Sequence, residues 1–230
     1  MELKGKTAVV TGVSKGIGLA TVKFLLEKQA NVAGWGRTAP KLDHPNFYFV
    51  PTDVSDFASV EKSLGQTKQQ FVEGISVLIN NAGLGFGGTL SEMPLDQWHQ
   101  MFNTNVHGIF YCCKVIIPEM KKMGEGHIIN ISSIAGTNGI ENMAGYCGTK
   151  HAVNGISHAL FKEVRNDGIK VTCVNPGSVN TNFFDNFDAV TANEHMMRPE
   201  DIAASLINVL ETHPNLLTSD LELRPLKPKG

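Results

Sequence analysis

Tyr146 and Lys150 stand four residues apart in the stretch AGYCGTKHAV, residues 144–153. On a helix that spacing puts both side chains on one face, near enough to interact. The chemistry such a pair offers is proton transfer. A free phenol has a pKa of about 10 and gives up its proton poorly near neutrality. Lowering that value by about 3 units requires roughly 4 kcal/mol. One ammonium about 4 Å away, at an effective dielectric of about 20, supplies roughly 4 kcal/mol. Lys150 therefore has enough charge to make Tyr146 a usable acid, provided a helix turn brings the two together. The spacing is also that of any ordinary helix face, so the elements around it must decide.

A second group with chemical potential is TGVSKGIG, residues 11–18. It follows an apolar strand-like run and opens a helix-like one. Backbone N–H groups at a helix N-terminus bind phosphate oxygens, and glycine lets a pyrophosphate approach closely. Tight turns also use glycine, so position counts for more than residue type. Here the position is the first strand-to-helix turn, and Gly12, Ser14, Lys15, Gly16, Ile17 and Gly18 become candidates for holding a dinucleotide. The GxxxGxG spacing differs from the GxGxxG of many dehydrogenases.

The surrounding pattern predicts the scaffold. Short β-rich runs occupy 7–12, 31–36, 47–53, 75–83, 127–133, 170–177 and 217–225. Helix-length segments with spaced apolar residues lie between them at 17–29, 55–72, 97–122, 145–166 and 199–211. Several runs are apolar throughout, as strands are when both faces of a parallel sheet are covered. Regular alternation predicts a single α/β domain over residues 1–230, a doubly wound parallel sheet of about seven strands flanked by helices. The irregular stretch 178–198, after a strand, is a candidate substrate lid.

Composition narrows the function. The 230 residues are 42% hydrophobic and 18% charged, with a net charge of −2. That suits one globular α/β domain. Without a basic block, neither nucleic acid nor an anionic membrane is an expected partner. No apolar run approaches the roughly 18 residues of a membrane span. Strand-like sequence from Thr7 leaves no room for a signal peptide, so a cytoplasmic protein is expected. The cysteines, Cys112, Cys113, Cys147 and Cys173, form no CxxC and read as reduced, mostly buried thiols. The histidines form no HExxH or comparable cluster, and no metal site is expected. His151, Trp98, Met196 and Met197 read as packing or solvated residues.

The chain resembles the short-chain dehydrogenases/reductases over nearly its whole length. The resemblance is carried by TGVSKGIG (11–18), NNAG (80–83), NVHG (105–108), ISS (131–133), YCGTK (146–150) and NPG (175–177), all in family order, with Ser133 thirteen residues before Tyr146. It implies a Rossmann fold and an activity like that of carbonyl reductases or 3-oxoacyl-carrier-protein reductases. In the family pattern Tyr146 protonates the carbonyl oxygen as hydride arrives, and Lys150 also hydrogen-bonds the nicotinamide ribose. Ser133 would hold the substrate oxygen; Ser132 is the competing serine, and the family spacing favours Ser133. Asn105 would hold a water that relays protons to the lysine. It falls in the middle of a run read as one long helix, where asparagine is a poor helix former, and a solvated helix asparagine is the plain alternative.

The same resemblance places Asn81, Ala82 and Gly83 against the cofactor, and Pro176, Gly177, Val179 and Thr181 at the nicotinamide amide. Asp53, with Val54 beside it, would accept from the adenine amino group. Asp53 or Ser55 could equally cap the next helix. At the end of the second strand, GWGRT puts Gly36 where an NAD site usually carries an acid. Arg37 follows, with Lys15 as a second cation and Thr38 as a hydroxyl, so NADPH/NADP+ is the expected cofactor. A solvated loop arginine is the alternative for Arg37.

Phe183, Phe184 and Phe187, with Leu84, Phe86 and Met143, would form an apolar pocket or pack the lid. The C-terminus, LTSDLELRPLKPKG, lacks the VDGG ending of the best-known 3-oxoacyl-carrier-protein reductases, so substrate identity does not transfer. A small carbonyl or alcohol is the expected substrate. A homodimer or homotetramer built on 97–122 and 145–166 is expected by family analogy. Two other readings stand beside the reductase: an alcohol dehydrogenase working in oxidation, and a catalytically silent NADP-binding sensor or scaffold. The complete set Asn105, Ser133, Tyr146 and Lys150 argues against the silent protein.

Overall fold

The computed structural model describes residues 1–181, 183 and 193–227. Seven strands form one parallel sheet: β1 (Thr7–Thr11), β2 (Asn31–Gly36), β3 (Phe47–Pro51), β4 (Ile75–Asn80), β5 (Gly126–Ile131), β6 (Ile169–Pro176) and β7 (Asp220–Leu223). Their order across the sheet is β3-β2-β1-β4-β5-β6-β7, with every pairing parallel. The winding reverses between β1 and β4, and a crevice opens at their carboxyl ends, where open α/β sheets bind ligands.

The apolar runs become strands because both faces are covered. Every residue of β1, β4 and β5 is buried. On one face pack α1 (Gly16–Glu27) and, later in the chain, a helix spanning Pro199–Leu210, through Val22, Leu25, Leu26, Ile202 and Leu206. On the other pack α2 (Phe57–Gln70) and helices at Gly108–Met123 and Ala144–Val164, through Val60, Ile109, Ile116, Val153 and Leu160. Each such side chain, fully buried, stabilises by roughly 1.5–3 kcal/mol.

Two local expectations need correction. The segment 97–122 is not one regular helix. It divides into α3 (Leu95–Phe102), a π-helical turn (Asn103–His107) and α4 (Gly108–Met123). The extra residue in the π turn lets Asn105 face inward, 1% exposed, instead of standing solvated on a helix face. The cap of α2 is neither Asp53 nor Ser55 but Asp56, whose carboxylate accepts from the Ala58 N–H at 3.2 Å. Asp53 Oδ1 instead accepts from the backbone and hydroxyl of Ser55, at 2.9 and 2.7 Å.

The remaining helices are α5 (Ala144–Val164) and α6 (Pro199–Leu210). The described ends of the 178–198 stretch meet. Asn180 N–H donates to the Met197 carbonyl at 2.8 Å, and Met197 N–H donates to the Ser178 carbonyl at 3.0 Å. Phe184 and Phe187 lie outside the described residues. All four cysteines are free and buried. Burial pushes the thiols of Cys113 and Cys173 up to about 12 and about 11, and that of Cys112 higher still.

Candidate active site

A cavity of about 830 Å³ occupies the crevice at the carboxyl ends of the central strands. One wall is the β1–α1 turn. Gly12 there has φ +72°, and a Cβ on it would lie 2.9 Å from Ala82 Cα. A Cβ on Gly18 would lie 2.2 Å from the Gly12 carbonyl oxygen. Gly18 does not border the cavity. Its lack of a side chain lets the turn close from behind. Gly12, Ser14, Lys15, Gly16 and Ile17 do line the cavity.

Asn81 fixes this turn to the end of β4. Its amide donates to the Thr11 and Gly12 carbonyls at 2.9 and 3.1 Å. In return Thr11 Oγ1 accepts from the backbone N–H groups of Asn81 and Ala82, at 3.0 and 2.9 Å. The first turn of α1 has no acidic residue, and no side chain caps it. Its N–H groups and the helix dipole therefore face the cleft uncompensated. Glycines that leave no room for side chains, beside an open helix N-terminus, fit the phosphates of a dinucleotide.

Along the cavity toward β2 and β3 lie Gly36, Arg37, Thr38, Asp53 and Val54. Arg37 and Thr38 are exposed. Burial raises the Asp53 carboxyl, but the two Ser55 hydrogen bonds and the Arg37 charge outweigh it, and the net shift is downward. Asn81, Ala82, Gly83, Pro176, Gly177, Val179 and Thr181 complete the cofactor candidates on the cavity wall.

At the other end Tyr146 and Lys150 rise from one face of α5 as the spacing predicts, 7% and 5% exposed. Lys150 Nζ donates to the Ile131 carbonyl at 2.9 Å and lies 5.6 Å from the centroid of the Tyr146 ring. Burial brings Lys150 down to about 8, partly opposed by Cys173. The Tyr146 phenol is not lowered as the helix-turn argument anticipates. Burial raises it above the usual phenol value, Ser133 pulls back through a hydrogen bond, and Cys147 adds to the rise. Desolvation of the phenolate is the largest influence on it.

Ser133 follows β5 in extended conformation and its Oγ accepts from the Ala135 N–H at 3.1 Å. The competing Ser132 is buried, and its hydroxyl donates to the Lys150 carbonyl at 3.0 Å. That leaves Ser133 as the serine engaged with Tyr146.

Asn105 does not border the cavity. Its Oδ1 accepts from the Leu84 N–H at 2.9 Å, and its Nδ2 donates to the Leu84 carbonyl and to Thr149 Oγ1, at 2.8 and 3.0 Å. It holds the 83–84 backbone against α5 from behind. Beyond Tyr146 the site is apolar: Met101, Ala135, Tyr146 and Cys147 pack with Leu84, Phe86, Met93, Met143 and Phe183. The Phe183 ring stands 5.2 Å from that of Tyr146, inclined 49°.

Sequence reasoning missed several wall residues, among them Trp35, Thr52, Gln100, Asn103, Thr104 and Ile140. Trp35 and Thr52 sit at strand ends directly before the candidates Gly36 and Asp53, and their own residue types give no signal. Asn103 and Thr104 reach the cavity on the π turn, which no spacing announces. Among the described residues, no group of three or more His, Cys, Asp or Glu could hold a metal ion. No helix of the described residues is long and apolar enough to cross a membrane.

Comparison with known proteins agrees with this geometry. A family model described as short chain dehydrogenase matches residues 6–191. An uncharacterized oxidoreductase of Staphylococcus aureus (strain MRSA252) is 32% identical over 236 residues, covering 97% of this chain and 99% of that one. A 3-ketoacyl-(acyl-carrier-protein) reductase from Brucella melitensis, solved with NADH, superposes with a TM-score of 0.90 at 23% identity, covering 97% and 98% of the two chains. ElxO, solved with NADP bound, superposes with a TM-score of 0.87 at 28% identity, covering 96% and 98%.

Proposed function

The chain belongs to the short chain dehydrogenase family, and on that premise we propose that it is an NADPH-dependent reductase of a ketone or aldehyde. The observation that carries this reading is the meeting of Ser133, Tyr146 and Lys150 on one wall of the cavity whose far wall is the glycine turn.

A nicotinamide cofactor held by the glycine turn would supply the hydride. Ser133 and Tyr146 hydroxyls hold the substrate oxygen, and Tyr146 gives it the phenolic proton. The raised phenol keeps that proton at neutral pH, so Tyr146 stands in the protonated form from which reduction starts. Alcohol oxidation would run the same proton transfer in reverse, starting from the phenolate. Lys150, charged below about pH 8, would stabilise the phenolate left after transfer and, as the resemblance implies, would hydrogen-bond the ribose of a bound cofactor. Asn105 acts through the position of Gly83 and Leu84. The apolar surround of Leu84, Phe86, Met143 and Phe183 excludes water and favours an uncharged carbonyl with an apolar flank.

The preference for NADPH rests on Gly36, Arg37, Lys15 and Thr38. Gly36 brings no carboxylate to repel a 2′-phosphate, and two cations are exposed nearby. The NADP-bound state of ElxO supports this assignment. Self-association through α4 and α5 completes the reading, with Phe110 of α4 52% exposed; a monomer by light scattering at micromolar concentration would contradict it. The reductase itself is tested by following oxidation of NADPH and NADH with a panel of ketones and aldehydes. Turnover on at least one carbonyl is expected. Tight cofactor binding with no turnover on any would mark a silent binding protein.

A further inference from the structure

Asn154 lies two helical turns beyond Tyr146 and one beyond Lys150, on the same face of α5. It is 8% exposed and does not border the cavity. Its Nδ2 is within hydrogen-bond distance of Ser132 Oγ (2.9 Å), the Lys150 carbonyl (3.1 Å), Asn175 Oδ1 (3.1 Å) and the Gly136 carbonyl (3.2 Å). Its Oδ1 accepts from Cys173 Sγ at 3.2 Å. An amide carries only two hydrogens, so these acceptors share them. One side chain thus touches four segments at the reacting end: the residue before Ser133, the turn after it, the catalytic helix, and the last residues of β6 before Pro176 and Gly177.

The neighbouring polar links do not duplicate this. Ser157 Oγ, further along α5, accepts from Asn130 Nδ2 at 2.9 Å, and Asn130 Oδ1 accepts from Asn80 Nδ2 at 2.8 Å. That chain runs inside the sheet and touches neither flank of Ser133. Around Asn154 there is no slack. A Cβ on Gly136 would lie 2.3 Å from its Nδ2 and 2.6 Å from Ser132 Oγ. The Gly136 N–H in turn donates to the Ser133 carbonyl at 2.8 Å.

We propose that Asn154 is a positioning residue that sets the alignment of Ser133 with Tyr146 by clamping the 132–136 turn and the end of β6 to α5. The proposal rests on the reductase reading, in which Ser133 and Tyr146 share one substrate oxygen. A residue that merely stabilises the fold would affect turnover whether or not Ser133 carries its hydroxyl. A residue that works through Ser133 would not.

A double-mutant cycle separates the two. Asn154→Leu preserves size and removes every hydrogen bond. It is expected to lower kcat about tenfold in the wild-type background, since small misplacements of reacting groups have large rate effects. In the Ser133→Ala background the same change should lower kcat by less than about twofold, because residues acting as a unit are not additive. The KM for NADPH should stay within about twofold in both backgrounds. An equal loss with and without the Ser133 hydroxyl, or no loss at all, would overturn the proposal. If Asn154→Leu does not fold, Asn154→Ser goes through the same cycle with the same criteria.

Absence of turnover by the unmodified protein would defeat the reductase reading rather than the clamp. Amide hydrogen exchange then reads the clamp directly. Faster exchange at Ala135, Gly136 and Gly177, with β1–β3 unchanged, is expected in the folded variant. Uniform acceleration, or none, would overturn it.

Discussion

Lys150 Nζ stands 5.6 Å from the centroid of the Tyr146 ring while donating to the Ile131 carbonyl at 2.9 Å. The ammonium sits over the ring from the sheet side, tethered to the end of β5. Burial brings it down from 10.5 to about 8, so its charge is lost within an accessible pH range.

Reduction should therefore slow as pH rises through about 8. Below that value Lys150 is charged and supports proton loss from Tyr146; above it the support is gone. A pH profile of kcat/KM with NADPH checks this, and Lys150→Met should lack that limb as well as binding cofactor less tightly. The linked effect on stability has the opposite sign. Between about 8 and 10.5 the unfolded chain holds the Lys150 proton and the folded chain does not, so stability from this group rises with pH there. Wild type should gain on Lys150→Met across that window in urea melts. Parallel stability curves would show that Lys150 is not so shifted.

Cofactor choice should be switchable at Gly36 and Arg37. Hydrogen bonds to charged groups contribute roughly 1.5–3 kcal/mol each. Two of them at a 2′-phosphate predict a preference for NADPH of about a hundredfold or more, weakened by salt because Arg37 and Lys15 are exposed. A Cβ on Gly36 meets nothing closer than Val13 N at 3.7 Å, so a side chain can be attached there without a clash at Cβ. Gly36→Asp with Arg37→Gln should shift preference toward NADH in steady-state kinetics. Equal efficiency with both cofactors in the unmodified chain would contradict the assignment.

His127 should make the fold acid-sensitive. Thr172 gives its only hydroxyl proton to the Thr218 carbonyl at 2.7 Å, so its contact with His127 Nε2 at 2.8 Å requires the imidazole to be the donor there. Nδ1 is left buried with no partner among the described residues. Burial, with the Lys170 and N-terminal charges, brings this imidazole down from 6.5 to about 3. Between those values the unfolded chain takes up a proton that the folded one refuses, so stability falls as pH falls. Denaturation midpoints from pH 6 to pH 4 should drop more steeply for wild type than for His127→Gln, by up to about 1.4 kcal/mol per pH unit. Equal slopes would show that His127 is not held neutral.

The sheet was legible because its strands are apolar on both faces and its helices are spaced between them; even the short β7 appears inside the run 217–225. The glycine turn and the Tyr146–Lys150 pair were legible for a related reason, since both lie within single local motifs. What escaped depends on distant partners. The π turn at Asn103–His107 keeps ordinary apolar spacing on either side, and Asn105 turns inward to meet Leu84, far away in sequence. Asp53, Ser55 and Asp56 are all good caps by type, and only backbone geometry selects Asp56. The phenol's environment escaped as well, because a helix turn reveals the nearby charge but not the desolvation around it.

The central claim is that Tyr146 delivers the proton. The most direct measurement compares carbonyl-dependent NADPH oxidation by wild type and by Tyr146→Phe, with NADPH affinity measured on both by fluorescence titration. Removing one hydroxyl leaves the ring packed against Phe183, so folding and cofactor binding should persist. The rate should fall by about a hundredfold or more, the usual contribution of a positioned acid. A variant that reduces the same carbonyl at the wild-type rate would contradict the account.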